Sequence, residues 1–229
     1  MSTVFFVKKS ILYRALYVIL AFFVLFTIAY AEFLRAAKVL SFEKSFYFLV
    51  MESTSAEVGI FEAQLGGGAG FLLEKKDKEY VALHVYFNKK DGLSVEKRLQ
   101  NEGRNVCILP VKIEALYFKG YEEKKKAAFY KNALENVYAY MKLLGEEIGR
   151  LEEGATQRSC GNILRIIARN LNGLFKEYQE SYPHCALVCQ KIATALENIV
   201  EEVIYVKDLR YLLCDFVETY LFLLSQFAL

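Results

Sequence analysis

Residues able to do acid–base or nucleophilic chemistry are few in this chain. The inventory is His84 and His184, five cysteines, and adjacent carboxylates such as Glu122–Glu123, Glu146–Glu147, Glu152–Glu153 and Glu201–Glu202. Neighbouring positions on a helix diverge by about 100°, so such pairs do not converge on one substrate atom and read as solvated helix faces. His84 has no carboxylate or cysteine at a spacing that would make it a general base. His184 follows Pro183 at a predicted helix start, a surface capping position. The cysteines (Cys107, Cys160, Cys185, Cys189, Cys214) form no CxxC pair and no Cys/His metal spacing. Buried free thiols are the plain reading, and one disulfide stays open for a domain outside the cytoplasm. The sequence therefore predicts no catalytic residue, no metal ligand set and no cofactor.

The remaining chemical candidate is "QLGGGAGF", residues 64–71. A Walker-type loop would place lysine and Ser/Thr after the last glycine to meet phosphate, and "FLL" follows instead. A dinucleotide fingerprint runs strand, glycines, helix, whereas the order here is helix, glycines, strand. A helix C-terminus carries partial negative charge and repels phosphate. The run reads as a helix stop, with Gly66 expected in the left-handed conformation.

The elements around these residues follow from periodicity. "SFYFLVME" (45–52) is dense in aromatic and β-favouring residues and predicts a strand. A short helix over 53–65, a hairpin over 69–88 turning at "EKKDKE", a helix closed by Gly103, and a strand at "NVCILPVKI" (105–113) complete the order β-α-β-β-α-β. Pro110 suits an edge or bulge position. This is the ferredoxin-like split βαβ, and its two halves repeat weakly: strand, helix, leucine, glycine, strand. Alternation along the third strand puts Ala82, His84 and Tyr86 on one face, with Val81, Leu83, Val85 and Phe87 on the apolar face expected under the two helices. From Tyr121 onward strand signals stop, and apolar residues recur at three-to-four spacing, as in Ala127, Tyr130, Leu134, Val137 and Met141. An antiparallel bundle of three or four helices follows.

Ahead of these elements, Lys8, Lys9 and Arg14 flank 17 uncharged residues, "ALYVILAFFVLFTIAYA", from Ala15 to Ala31. With Ile11 to Tyr13 the segment approaches the roughly 20 residues that cross a bilayer. Basic residues on its N-terminal side place that end in the cytoplasm. Ala29-Tyr30-Ala31 also offers a cleavage pattern, but the apolar stretch exceeds a signal peptide's h-region. The expected organisation is a cytoplasmic N-terminus (1–10), a transmembrane anchor (11–31), a stalk (32–44), a βαββαβ domain (45–118) and a helical domain (121–229), the last three outside the cytoplasm. A formal net charge of +2 advertises no polyanion partner, and nucleic-acid binding is not expected.

A single anchor followed by "FYFLVMES", "GGGAGFLL", "EYVALHVYFNKKDGLSVEKRLQNEG" and "NVCIL" resembles the SPOR (sporulation-related repeat) domain proteins of bacterial division and sporulation. The resemblance covers about a third of the chain. It implies a non-catalytic domain that binds peptidoglycan glycan strands on the sheet face away from its helices. That face would carry Tyr47, Leu49 and Met51 from the first strand and Ala82, His84 and Tyr86 from the third. Leu49 stands where the family typically has a polar glutamine. Rings such as Tyr86 and His84 suit sugars, stacking on C–H groups while their polar atoms hydrogen-bond. Two other readings stand beside it: a scaffold whose two halves bind another membrane or envelope protein, and, with the least support, a wall hydrolase.

Overall fold

The computed structural model describes residues 22–28, 30, 38–52, 55–75, 78–118 and 121–227, and it is an α+β protein. The sheet comprises β1 (Lys38–Met51), β2 (Phe71–Lys75), β3 (Lys78–Tyr86) and β4 (Val106–Phe118). Two helices interleave with it, α1 (Ala56–Leu65) and α2 (Lys89–Asn101). Four more follow: α3 (Tyr121–Glu152), α4 (Gln157–Tyr178), α5 (Pro183–Glu201) and α6 (Val206–Ser225).

All strand pairs are antiparallel, in the order β2-β3-β1-β4. A split βαβ demands that order, because each helical crossover leaves a gap of one strand for the hairpin partner to fill. Pro110 sits on the edge strand β4, opposite Tyr47, where its missing N–H costs least. Asn88 caps α2, its side chain accepting from the Lys90 amide at 3.0 Å, and Gly103 closes that helix with φ of 82°.

Two expected boundaries move. The strand expected from Ser45 begins at Lys38, so the C-terminal part of the expected stalk is sheet. Its partner β4 continues to Phe118 rather than ending at Ile113. The two extend together because Phe42, Leu116 and Phe118 supply an apolar side that the helical half buries. Charged neighbours such as Glu43 and Lys44 had masked that alternation in the sequence.

Both faces of the sheet are covered. On one, α1 and α2 lie over Leu49, Val81, Leu83 and Val106, with Ala63, Ile60, Val95 and Leu99 as their contacts. On the other, Phe46, Phe48, Val50, Phe71 and Val85 share a core with Leu134, Val137, Met141, Leu213 and Phe216 of the helices. One continuous core therefore runs from strands to bundle. Tyr220 donates to the Leu134 carbonyl at 2.9 Å, and the Tyr117 amide donates to the Phe227 carbonyl at 2.7 Å, tying the C-terminal end to β4.

The helical half has four helices joined by short turns, which sets neighbours antiparallel. Thr156 caps α4 by accepting from the Ser159 amide, and Pro183 occupies the first turn of α5, where its missing N–H is harmless. The apolar C-terminal segment is core as expected: Leu209, Leu213, Phe216, Val217 and Tyr220 are fully buried.

Among the described residues no helix is long and apolar enough to cross a membrane. The expected span, 11–31, lies mostly outside them. Within it, residues 22–28 and Tyr30 are helical, and Phe22, Phe23, Leu25 and Phe26 are exposed.

Candidate functional site

The glycine run shows what its sequence is for. Gly66, expected in the left-handed region, has φ of −80°; Gly67 takes that conformation instead, with φ of 76°. The helix end is closed by the amides of Gly66, Gly67 and Gly68, which donate to the Glu62, Gln64 and Ala63 carbonyls as the chain reverses. A Cβ on Gly68 would lie 2.9 Å from Leu83 Cδ2 and 3.1 Å from the Ala63 carbonyl oxygen, so only glycine lets the chain pass between helix and strand. Arg210 of α6 then clamps the turn: its Nη1 donates to the Gly67 carbonyl, while Nε and Nη2 donate to Glu152 at 3.1 and 2.8 Å. The run is a structural seam between the two halves of the chain.

Beside this seam the third strand changes phase. Leu49 pairs with His84, but the next residue, Val50, pairs with Ala82, so Leu83 is an extra residue in β3. From His84 onward the bulge inverts the expected alternation. Ala82 keeps its expected face, which the bundle covers, while His84 and Tyr86 pair with Leu49 and Tyr47 on the side of α1 and α2. Val85, expected under α1 and α2, packs beneath the bundle. The six expected glycan contacts thus do not share an open face. On β1 the expected face is also reversed. Leu49, 2% exposed, and half-buried Met51 pack on the side of α1 and α2 with Tyr47 in phase, because Phe46, Phe48 and Val50 fill the core under the bundle, where Ala82 is fully buried. A one-residue insertion leaves no mark on a period-two pattern, which is why the sequence placed His84 wrongly.

The bulge delivers His84 and Tyr86 to a cleft of about 500 Å³ between the β3–α2 junction and α3. His84 is 7% exposed, and its Nδ1 has no hydrogen-bond partner among the described residues. Its ring meets that of Tyr86 edge-on, with centroids 4.6 Å apart. Burial, reinforced by the nearby Arg210 guanidinium, lowers the His84 pKa to about 3. Burial likewise pushes the Tyr86 phenol up to about 12. The base and the phenol are therefore both neutral at ordinary pH, and neither is poised to move a proton.

Two glycines of α3 form the facing wall. A Cβ on Gly145 would lie 2.9 Å from Phe87 Cε2, so this glycine sets how closely α3 approaches the strand end. A Cβ on Gly149 would meet nothing within 4 Å. Carboxylates ring the opening: Asp91 from α2, and Glu146, Glu152 and Glu153 from the end of α3 and just beyond it. Lys142 approaches Glu146 at 3.7 Å and Arg210 pairs with Glu152. Among the described residues Asp91 and Glu153 have no ion-pair partner. Sequence reasoning missed this rim, because its members look like ordinary charged helix faces until α2 and α3 converge.

The other candidates are placed more simply. His184 is exposed in the first turn of α5. All five cysteines are free. Burial raises the Cys160 thiol to about 11, and burial raises the Cys214 thiol further. Cys185 is held as a thiol by its hydrogen bond with Cys189 together with burial. Among the described residues no group of three or more His, Cys, Asp or Glu could hold a metal ion. Compared with protein-family models, characterised proteins and solved structures, the chain matches none.

Proposed function

We propose that the chain is a non-catalytic binding protein, held at a membrane by its N-terminal apolar segment and serving as a scaffold for another membrane or envelope protein. The observation that carries this choice over glycan-strand binding is the sealing of the sheet. The face away from α1 and α2, where a SPOR-like unit would meet a glycan strand, is filled by the chain's own helices, with Phe46, Phe48 and Val50 at 0% exposure. A binding rather than catalytic role is supported by the state of the nucleophiles and bases: a neutral buried imidazole and buried thiols pushed up. The tether is supported by the uncharged run from Ala15 to Ala31 and by the exposed apolar side chains of its helical part.

The test uses the full chain in two measurements. Flotation on a density gradient should carry it with membranes after a high-salt wash, and Leu25→Arg with Phe26→Arg should release it. Full release of the unsubstituted chain by salt alone would remove the tether. Purified peptidoglycan strands should fail to retain the detergent-solubilised chain. Retention that drops on Tyr86→Ala or His84→Ala would restore the glycan reading.

A further inference from the structure

We infer that the outer face of α1 is the docking surface for a basic amphipathic helix of a partner protein. This rests on the scaffold half of the proposed function, and it names where that partner sits and what chemistry it carries. α1 is apolar on two opposite sides. Gly59, Ile60 and Ala63 face the sheet, where the helix packs on Leu49, Val81, Leu83 and Val106. At about 100° per residue, the opposite side carries Val58, Phe61 and Leu65, which are 51, 63 and 73% exposed. Spacing of i, i+3 and i+7 makes these three a continuous stripe rather than scattered exposure. A helix apolar on both sides is built to be covered on both, and the fold covers only one.

The charges beside the stripe choose its occupant. Glu57 flanks it on one side and Glu62 on the other, and α1 carries no lysine or arginine. Neither glutamate has an ion-pair partner among the described residues. Beyond Glu62 a cavity of about 340 Å³ opens between α1 and the α2–β4 turn, floored by Ala63, Leu83 and Val106 and edged by Glu52, Glu62 and Arg104. Glu52, Glu57 and Glu62 outnumber Arg104, so the complementary surface is basic. A second copy fails that requirement, because pairing α1 with itself sets Glu57 and Glu62 against their own kind. A bilayer fails it too, since anionic headgroups meet the same carboxylates. α1 also lies over the Leu49–Met51 end of β1, about 40 Å along the strand from Lys38, where the chain from the tether enters the sheet. The occupant is a protein helix whose apolar ridge beds along the stripe while lysine or arginine on its flanks meets the carboxylates.

The probe is a labelled synthetic Leu/Lys amphipathic helix, its binding to the full chain read by fluorescence anisotropy. The chain is held in phosphatidylcholine nanodiscs with empty nanodiscs as the blank; a chain that salt releases from membranes is measured in plain buffer. The peptide should bind saturably, and a Leu/Glu counterpart at least about tenfold more weakly. Phe61→Ser with Leu65→Ser should weaken the Leu/Lys peptide at least about tenfold while leaving the melting midpoint unchanged, because both side chains are exposed. Glu57→Lys with Glu62→Lys should reverse the preference, so that the Leu/Glu peptide binds better. A general attraction between a cationic peptide and carboxylates elsewhere on the chain would give no such reversal. The inference is overturned if both peptides bind alike, if Phe61→Ser with Leu65→Ser binds undiminished, or if the charge swap leaves the preference as it was. Two further outcomes give the stripe to another occupant and overturn it equally: a dimer in light scattering that Phe61→Ser dissolves, or vesicle flotation of the Leu25→Arg, Phe26→Arg chain that Phe61→Ser abolishes. Salt release and glycan retention of the unsubstituted chain decide the tether and the glycan reading, and peptide binding decides α1.

Discussion

The two faces of the sheet are built to opposite specifications. Toward the bundle, Phe46, Phe48, Val50 and Val85 meet Val137, Met141 and Phe216 in an apolar core, with Lys44 of β1 stacked over the Phe42 and Tyr138 rings beside it. Toward α1 and α2, Leu49 and Leu83 share their surface with His84 and Tyr86, a buried imidazole and a half-buried phenol at the foot of a cleft. A single inserted residue, Leu83, separates the two specifications along β3. The difference teaches that the larger apolar core lies on one face, and that the other buries a polar group without a partner among the described residues.

The largest predicted effect tests the apolar face. Phe48→Ala removes a fully buried ring from the continuous core and should cost about 3–5 kcal/mol of unfolding free energy in a denaturant titration. Leu99→Ala, half-buried on the α2 side, should cost clearly less. Equal losses would mean that the faces share the load and that the contrast is false.

Acid sensitivity tests the polar face. The His84 pKa falls from 6.5 in the unfolded chain to about 3 in the fold. Between those values the unfolded chain binds a proton that the native protein refuses, so acid favours unfolding. The contribution is fully present above pH 6.5 and is lost as pH falls toward 3, at up to about 1.4 kcal/mol per pH unit for one proton. Carboxylates titrate in the same range, so the informative quantity is the slope difference between the natural chain and His84→Gln. His184→Gln, at an exposed position, should keep the natural slope. An unchanged slope in His84→Gln would show that the imidazole is not held neutral by the fold.

How much of this was legible beforehand follows from the kind of signal each feature emits. Long periodic stretches such as Ala127 to Leu144 and the aromatic run at Phe46 to Phe48 declared their elements, since burial of a whole stripe repeats over many residues. The order βαββαβ fixed which strands could be neighbours, and the strand order followed. The cleft did not follow, because it depends on three local events with no periodicity. The bulge at Leu83 reverses the side chains from His84 onward, Gly145 sets the approach of α3, and Arg210 reaches 143 residues back to the Gly67 carbonyl. The glycine run was legible as a stop and illegible in its length, since the close passage beneath Leu83 exists only once the sheet has formed.

That seam yields the third prediction, intermediate in size. Gly68→Ala places a methyl against Leu83 and the Ala63 carbonyl, and should destabilise by about 1–3 kcal/mol. Gly103→Ala, which meets no neighbour but has φ of 82°, should cost about 1–2 kcal/mol from backbone strain alone. A thermal melt of both variants separates the two causes. Gly68→Ala should also loosen the Arg210 clamp and expose the Gly67–Glu152 seam to hydrogen exchange, while Gly103→Ala should leave exchange there unchanged.

The smallest effect carries the opposite sign and bears most directly on the contrast between the two faces. Gly145 and Gly149 lie one turn apart on α3, where each costs helix stability relative to alanine. At Gly145 an added methyl strikes the Phe87 ring edge at 2.9 Å, so the intrinsic gain is spent on displacing the ring or the helix. At Gly149 nothing stands within 4 Å, so Gly149→Ala should raise the unfolding free energy by about 0.5–1 kcal/mol, read as a small increase in melting midpoint. A chain under no packing constraint at this position would gain by carrying alanine, in contrast to Gly145 one turn earlier. A melting midpoint that stays level or falls in Gly149→Ala would break that contrast between the two glycines.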